Sequence, residues 1–374
     1  MTISTPTPLL GGLSPQLFMR RHWQKRPLLI RQAVPDAAPL ASRAELFKLA
    51  ARDDVESRMV VQRRDGWTLR KGPLSRRSLP PVEQPGWTLL VQGLDTILDA
   101  AHELLSRFRF VPMARLDDLM VSWASDGGGV GPHTDSYDVF LLQLQGRRRW
   151  RIAAPGDYRL QPDVPLKILT NFVPEQEWLL EPGDMLYLPP GWAHDGVAEG
   201  ECMTASAGFR VPGRAELRTE VLQRMLDASE APDPDVLYRD SRQPATDAPG
   251  RIPEAMHEFV KREIARWLAD PRSMACALGE VLSEPKPQVW FDACEPLAAG
   301  QGVQLDRRTR MLYDGQHVFI NGEAFRAAGR DAMLMRRLAD ARSLSAPELA
   351  KLGDDARELL AQWVQAGWLR PVNR

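Results

Sequence analysis

The chain has 374 residues, and its 48 lysines and arginines nearly balance its 49 aspartates and glutamates, which gives a net charge of −1. This balance excludes a global field that draws the protein towards nucleic acid or membranes, and the length predicts two or three domains. The spacing of Cys202, Cys276 and Cys294 fits neither a disulfide framework nor a zinc site, and neither a signal peptide nor a long apolar run is found, so a cytoplasmic protein is expected.

The first strand that bears on function is predicted over Asp118–Ser122. Strand alternation puts Asp118, Met120 and Ser122 on one face, which we expect to line a cavity, and the apolar residues between them on the other. The alternative for Asp118 is that it caps a helix. The three glycines at Gly127–Gly129 are not a phosphate loop, because no Gly-Lys-Ser/Thr follows. They are expected to let the backbone approach a bound polypeptide closely.

Three candidate metal ligands lie in the segments Gly131–Asp135 (Gly-Pro-His-Thr-Asp) and Pro189–His194 (Pro-Pro-Gly-Trp-Ala-His). Residues i and i+2 of a strand project to the same face, so His133 and Asp135 can point together into a cavity. His194 can then come from a neighbouring strand of the same barrel. Two imidazoles and one carboxylate are the ligand set that holds non-haem Fe(II) and leaves positions open for a co-substrate and O2. The two segments therefore predict oxidation chemistry.

Two strands joined by a turn are predicted to follow the first two ligands. They cover Ser136–Gly146 and Arg147–Ile152, with the turn at residues 145–146. Tyr137 lies two residues beyond Asp135, so strand alternation puts both side chains on one face, at the mouth of the same cavity. The alternative for Tyr137 is a packing role.

The second of these strands begins with three consecutive arginines. Arg148 must face opposite to Arg147 and Arg149. If those two face water, Arg148 points into the barrel, where an unpaired guanidinium would be costly to bury. A dicarboxylate co-substrate would satisfy it.

The composition changes after Gly213, where short strands give way to helices. Amphipathic helices are predicted over Arg214–Asp227 and Pro253–Leu268, and the Pro- and Asp-rich stretch Glu230–Gly250 between them is expected to form turns and a flexible connection. Two helices with one apolar stripe each cannot form a core alone. They must pack on the barrel or on a second copy of themselves.

The last segment, from about Pro287, alternates strands and helices in a pattern typical of a winged-helix domain. The predicted elements are a hairpin over Arg310–Tyr313 and His317–Asn321 and helices over Arg330–Ala341, Ser345–Leu352 and Asp354–Ala366, with a capping box at Ser345 and Glu348. A winged helix raises the alternative of DNA binding. However, Asp354, Asp355 and Glu358 lie at the start of the helix that would read DNA, where positive charge is usual. We expect a structural or substrate-docking role and no direct DNA binding.

Glu181–His194 resembles the second metal-ligand strand of the JmjC-type 2-oxoglutarate oxygenases, in which a Pro-Gly-Asp turn starts the strand and a Pro-Pro-Gly-Trp corner swings the distal His onto the metal. Within this group, Phe18–Arg31, Leu116–Trp123 and Gly127–His133 are similar to the bacterial ribosomal oxygenases described as arginine 3-hydroxylases of ribosomal protein uL16. The similarity covers nearly the whole chain.

This resemblance implies an α+β fold with three parts. A JmjC catalytic domain over residues 1–212 would form a double-stranded β-helix, the barrel of jelly rolls and cupins. A helical dimerisation module would cover 213–286, and a winged-helix-like domain 287–374. The protein is therefore expected to be a homodimer.

The resemblance also implies the roles of the candidate residues. Fe(II) would be bound by His133, Asp135 and His194, and 2-oxoglutarate would chelate the metal. Arg148 would pair bidentately with the distal carboxylate of 2-oxoglutarate. Many members of the family have lysine there, so arginine narrows the match to the bacterial ribosomal oxygenases. O2 would convert 2-oxoglutarate to succinate and CO2 while a substrate C–H bond is hydroxylated.

Further residues are expected around the co-substrate and the substrate arginine. The hydroxyls of Thr204 and Ser206 share one face of the strand after His194, and either could assist co-substrate binding. The expected substrate-binding residues are Asp118, Met120 and Tyr137. Asp126 and Asp138 are alternative partners for the substrate cation.

Three classes of function follow. The first is an Fe(II)- and 2-oxoglutarate-dependent hydroxylase acting on an arginine of uL16. The second has the same chemistry on a histidine or asparagine of another protein, or on tRNA. The third is not an enzyme but a metal-binding cupin that regulates transcription through its winged helix.

Overall fold

The computed structural model describes residues 2–63, 66–228, 236–298 and 300–372. The chain forms two compact units, Met1–Val211 with Pro287–Trp290 and Pro212–Lys286 with Phe291–Arg374. The first unit ends next to the predicted boundary at 212, and the division of the remainder into 213–286 and 287–374 stays a prediction. Among the described residues, no helix has both the length and the hydropathy that a membrane span needs.

In its described residues the first unit has a sheet of ten strands and three α-helices. The helices are α1 (Pro15–Arg21), α2 (Arg43–Leu49) and α3 (Asp99–Ser106). The strands are β1 (Leu28–Ile30), β2 (Ser57–Arg63), β3 (Gly66–Lys71), β4 (Trp87–Val91), β5 (Leu116–Ala124), β6 (His133–Thr134), β7 (Val139–Ala153), β8 (Gln176–Leu180), β9 (Met185–Leu188) and β10 (Ala193–Phe209). Their order is β1-β9-β7-β10-β5-β4-β2-β3, with β6 paired to β10 and β8 paired to β7.

The two long strands β7 and β10 pair antiparallel, and their ladder contains a bulge at Gly146. The turn predicted at residues 145–146 is wrong, because β7 continues through it while the register with β10 shifts between Glu199 and Thr204. Gly146 has a φ of 62°, and a Cβ there would lie 2.1 Å from the carbonyl oxygen of Glu201. Glycine therefore lets one strand bend where a hairpin was expected.

This bulge changes which residues of β7 face a second, smaller apolar cluster. Before the bulge, the odd positions Val139 and Leu141 belong to that cluster, and after it the even positions Trp150 and Ile152 do. A bulge inserts one extra residue and so reverses the alternation of the strand beyond it. The inward positions of β7 after Gly146 cannot be obtained by counting from the positions before it.

The main core of the first unit is rich in aromatic side chains, and one of them carries a buried polar network. Tyr187 is fully buried and packs against Phe18 and Phe140. Its hydroxyl donates to Asp138 Oδ1 at 2.6 Å and accepts from the backbone N–H of Gln24 at 2.8 Å. Asp138, also fully buried, accepts a second bond from Gln24 Nε2 at 3.1 Å. The network fixes the N-terminal segment against the start of β7.

We expect Tyr187→Phe to lower the free energy of unfolding by about 1–3 kcal/mol, because Asp138 then loses a buried donor. The measurement is urea unfolding at neutral pH. Tyr158→Phe is the matched control, since the Tyr158 hydroxyl donates to Ala154 O in a partly exposed loop. A Tyr187→Phe loss no larger than the control's would contradict this role of the network.

The second unit contains six α-helices and two three-stranded sheets in its described part. The helices are α4 (Arg214–Asp227), α5 (Glu254–Leu268), α6 (Pro271–Ser283), α7 (Gly329–Ala341), α8 (Ala346–Leu349) and α9 (Asp354–Gln365). The strands are β11 (Gly302–Leu305), β12 (Met311–Tyr313), β13 (His317–Ile320), β14 (Glu323–Arg326), β15 (Ser343–Leu344) and β16 (Leu369–Val372). The sheets have the orders β15-β11-β16 and β12-β13-β14.

Most predicted elements of this unit are confirmed. α4 has the predicted bounds, α5 begins directly after Pro253, and β12 and β13 pair as the predicted hairpin. The capping box at Ser345 and Glu348 is present, although α8 is shorter than predicted. Part of the stretch Glu230–Gly250 lies outside the described residues. Helix α6 was not predicted, although Pro271 at its first position is a common helix start.

Candidate metal and co-substrate site

The three predicted metal ligands meet where β6 pairs with β10. His133 of β6 lies directly opposite His194 of β10. Asp135 lies just beyond the end of β6, so the prediction that His133 and Asp135 share one continuous strand is wrong. The backbone carbonyl of Asp135 instead accepts a hydrogen bond from the N–H of Gly191 at 2.8 Å. The Pro-Pro-Gly-Trp corner is thereby tied to the segment that carries the carboxylate.

The ligand atoms of these side chains are close enough to share one ion. Asp135 Oδ2 lies 3.9 Å from His133 Nε2 and 3.6 Å from His194 Nε2, and one ligand atom from each residue falls within 4.8 Å of the others. His133 Nδ1 is 2.8 Å from the Gly131 carbonyl and His194 Nδ1 is 3.0 Å from the Trp192 carbonyl. An Nδ1–H donated to a carbonyl leaves each Nε2 lone pair for a metal.

Burial and the nearby His133 hold the pKa of His194 well below its ordinary value. A histidine must be neutral to bind a metal. The environment of His194 therefore favours the form that a metal ligand requires.

Arg148 points into the interior as its alternation predicts. It is only 5 % exposed, whereas Arg147 is exposed and Arg149 forms ion pairs with Glu177 and Glu199 at the surface. Its Nη1 lies 3.4 Å from the hydroxyl of Ser122. Its Nε and Nη2 are buried and have no hydrogen-bond partner among the described residues. An anion in the cavity would accept hydrogen bonds from these two nitrogens and balance the charge of the guanidinium.

Two side chains that were not singled out from the sequence adjoin Arg148. The Trp150 ring is close to both Arg148 and His194, with its centroid 5.9 Å from the guanidinium carbon and 5.9 Å from the centroid of the His194 ring. Ser122 is the closest polar neighbour of Arg148. The alternation that placed Ser122 on the face of Asp118 could have identified it.

The two predicted hydroxyls differ in their surroundings. Thr204 is buried and donates to Gln143 Oε1 at 2.9 Å, and Gln143 Nε2 donates to the carbonyls of Gln145 and Gly146. Thr204 thus supports the bulge of β7 through Gln143. Ser206 is buried two residues further along β10 and pairs across the sheet with Met120.

The expected substrate residues lie beside this cavity. Two of them, Asp118 and Tyr137, also make contacts within the protein itself. Leu119 and Val121 belong to the main core, so Asp118 and Met120 face the other side of β5, as predicted. Asp118 is buried and accepts a hydrogen bond from the Gly93 N–H at 3.2 Å.

Tyr137 lies between β6 and β7, so its predicted position in a strand is wrong. Desolvation and the carboxylate of Asp135, to which it is hydrogen-bonded, raise the pKa of the Tyr137 hydroxyl. The alternative acid Asp126 accepts the N–H of Gly200 at 2.8 Å.

The glycines before the first ligand approach the protein's own strands. A Cβ on Gly128 would lie 2.4 Å from the Trp87 carbonyl oxygen, and one on Gly129 would lie 2.6 Å from that of Gly196. These close contacts are made with β4 and β10, and the expected approach to a bound polypeptide stays a prediction.

Comparison with known proteins agrees with the geometry of the site. A JmjC domain model matches residues 103–217, and a ROXA-like winged helix model matches residues 266–370. Over 331 residues the chain is 34% identical to the ribosomal protein uL16 3-hydroxylase of Escherichia coli, covering 84% of this chain and 86% of the relative. The chain belongs to the JmjC-domain ribosomal oxygenases. The family expected from the sequence motifs is confirmed, as is a β-sheet domain followed by a helical region and a winged helix.

Other ribosomal oxygenases show the same likeness over almost the whole chain. A probable ribosomal oxygenase of Haemophilus influenzae is 28% identical, covering 95% of this chain and 96% of its own. A crystal structure of YcfD from Escherichia coli superposes with a TM-score of 0.84 at 29% identity, covering 96% of this chain and 98% of YcfD. YcfD in complex with cobalt and 2-oxoglutarate superposes with a TM-score of 0.80 at 29% identity and the same coverage.

We expect Gly146→Ala to destabilise this ribosomal oxygenase more than Gly200→Ala does. Both glycines have positive φ values, but a Cβ on Gly200 meets no atom within 4 Å, whereas one on Gly146 collides with Glu201. Gly200→Ala should cost about 1 kcal/mol for its backbone conformation alone. Urea unfolding of both variants measures the difference, and equal losses would show that the close approach at Gly146 is unimportant.

Proposed function

We propose that the protein is an Fe(II)- and 2-oxoglutarate-dependent dioxygenase that hydroxylates an arginine side chain of ribosomal protein uL16. The observation that carries the proposal is the buried guanidinium of Arg148, two of whose nitrogens have no partner among the described residues. It lies 5.9 Å from the ring of Trp150, which in turn lies 5.9 Å from the ring of His194. The similarity to the uL16 3-hydroxylase and to YcfD, which is known in complex with cobalt and 2-oxoglutarate, supports both the chemistry and the target. We place the reaction in the cytoplasm, on the double-stranded β-helix expected for the catalytic domain.

The side chains of the site have separate tasks in this reaction. His133, Asp135 and His194 would hold Fe(II), which with 2-oxoglutarate and O2 supplies the oxidation of a substrate C–H bond. Arg148 would bind the distal carboxylate of 2-oxoglutarate with two parallel hydrogen bonds. Trp150 packs close to both Arg148 and His194.

Asp118 is the carboxylate best placed to receive the substrate guanidinium, with Met120 and Tyr137 beside it. It is buried on the cavity face of β5, where a charge-assisted pair with arginine would be strong. Asp138 is already enclosed by Tyr187 and Gln24.

Arg148→Ala should raise the KM for 2-oxoglutarate by about 100-fold, because a charge-assisted bidentate pair is lost. Arg148→Lys keeps the positive charge but not the planar guanidinium that makes two parallel hydrogen bonds, so it should raise the KM for 2-oxoglutarate by less than Arg148→Ala does. The assay contains Fe(II), ascorbate, 2-oxoglutarate and a uL16 fragment, and follows succinate together with the mass of the fragment. Arg147→Ala, next in sequence but facing solvent, is the control.

Mass spectrometry of the fragment tests the target in the same reactions. The wild-type protein should add one oxygen atom to an arginine, and His133→Ala should add none. An unmodified fragment alongside wild-type succinate formation would overturn the uL16 target but not the oxygenase. An unchanged KM in Arg148→Ala would contradict the co-substrate site.

We also propose that the protein is a homodimer through α4 and α5, in line with the helical module that the family resemblance implies. Along α5, Met256, Val260 and Ile264 form one stripe at a spacing of four residues, and they are 39%, 48% and 52% exposed. Apolar residues repeated in this way on a helix surface are typical of helices that pair.

Val260→Asp with Ile264→Asp should convert this dimer to a monomer, because two charges would be buried at the interface. Sedimentation velocity measures the change in mass. The side chain of Lys261 is exposed on the same helix, so the charge change Lys261→Asp should leave the dimer intact. A wild-type monomer, or a dimer that survives both apolar substitutions, would contradict the interface.

A further inference from the structure

The sheet face that carries Met120 and Ser122 also carries polar side chains that the proposed reaction does not use. Arg58 of β2 pairs across the sheet with Leu90 of β4, and Leu90 pairs with Ser122 of β5. Directly paired residues of neighbouring strands point to the same face. Arg58 therefore shares the face of Ser122, whose hydroxyl approaches the guanidinium of Arg148.

Gln92 joins Arg58 on this face. It lies two residues beyond Leu90, and its N–H donates to the carbonyl of Glu56 at 2.9 Å, which continues the ladder between β2 and β4. Gln92 is therefore the diagonal neighbour of Arg58, at a Cα separation of about 7–8 Å that long side chains can span. By the same register it is next to Met120 on β5.

Arg58 and Gln92 each have a buried polar atom without a partner. Arg58 Nε and Gln92 Oε1 form no hydrogen bond with any described residue. Unpaired buried donors and acceptors are costly and call for an explanation. Here one donor and one acceptor lie on the sheet face that carries Ser122 and Met120, so a ligand that brings one acceptor and one donor would satisfy both.

We propose that Arg58 and Gln92 form a subsite for the main chain of the polypeptide substrate. Arg58 donates to a backbone carbonyl oxygen, and Gln92 Oε1 accepts a backbone N–H. The N–H and C=O of one extended residue point to the same side, as they do in strand pairing, so a single residue can meet both. An acidic side chain would satisfy Arg58 but leave Gln92 Oε1 unpaired. The subsite rests on the proposed function, because it holds the chain whose arginine side chain enters the site.

Arg58→Met and Gln92→Met test the subsite in the iron-loaded enzyme with a uL16 fragment. Each should raise the KM for the fragment by roughly tenfold, the value of one buried hydrogen bond. The KM for 2-oxoglutarate and kcat should stay within about twofold, because the metal and Arg148 are untouched. Arg58→Lys keeps a donor and should recover part of the loss. Arg63→Met is the control, since Arg63 is exposed on the opposite face of β2.

Fragments in which single backbone amides are replaced by esters test main-chain recognition directly. At one position, the ester should raise the KM of the wild-type enzyme by roughly tenfold. It should leave the KM of Gln92→Met unchanged, because in that variant the substrate N–H has already lost Gln92 Oε1 as its acceptor.

Three outcomes would overturn the subsite. Both variants could show wild-type kinetics, or the change could be confined to the KM for 2-oxoglutarate. Alternatively, every ester could affect the wild type and Gln92→Met equally. A wild-type enzyme that does not modify the fragment would overturn the proposed target and the peptide subsite with it.

Discussion

The burial of one guanidinium is the constraint around which the first unit is organised. Arg148 enters the interior from a strand whose adjacent arginines remain at the surface, and Ser122 provides its only direct hydrogen bond among the described residues. Removing such a charge from water is unfavourable unless a partner arrives. The unpaired nitrogens of Arg148 therefore leave an electrostatic deficit that an anionic ligand would correct.

Local patterns were sufficient to find the parts of the site. The ligand set of His133, Asp135 and His194 depends on residue type and spacing, and the faces of β5 follow from the alternation of Asp118 to Ser122. The inward direction of Arg148 also followed from its arginine neighbours. Each of these features is decided by a few consecutive residues, so the sequence contains the information.

Features that depend on a distant segment were missed. The glycine at 146 predicts a turn, because a glycine after a strand usually ends that strand. Only the nearby carbonyl of Glu201 makes this position a bulge. Arg58 and Gln92 were not recognised, since their common face depends on the register between β2, β4 and β5. Register results from the packing of the whole sheet, and one strand's own residues do not specify it.

Both imidazoles of the candidate metal site are oriented by a backbone carbonyl two residues earlier in the chain, that of Gly131 for His133 and that of Trp192 for His194. In many metal sites this second contact comes from a carboxylate side chain, and replacing that side chain weakens metal binding. A carbonyl is present whatever residue occupies the position. At Trp192 the contact with His194 therefore does not depend on the side chain. Gly131, in contrast, has a φ of 77°, and a Cβ there would lie 2.7 Å from Ile168, so the carbonyl that orients His133 is held in place by the absence of a side chain.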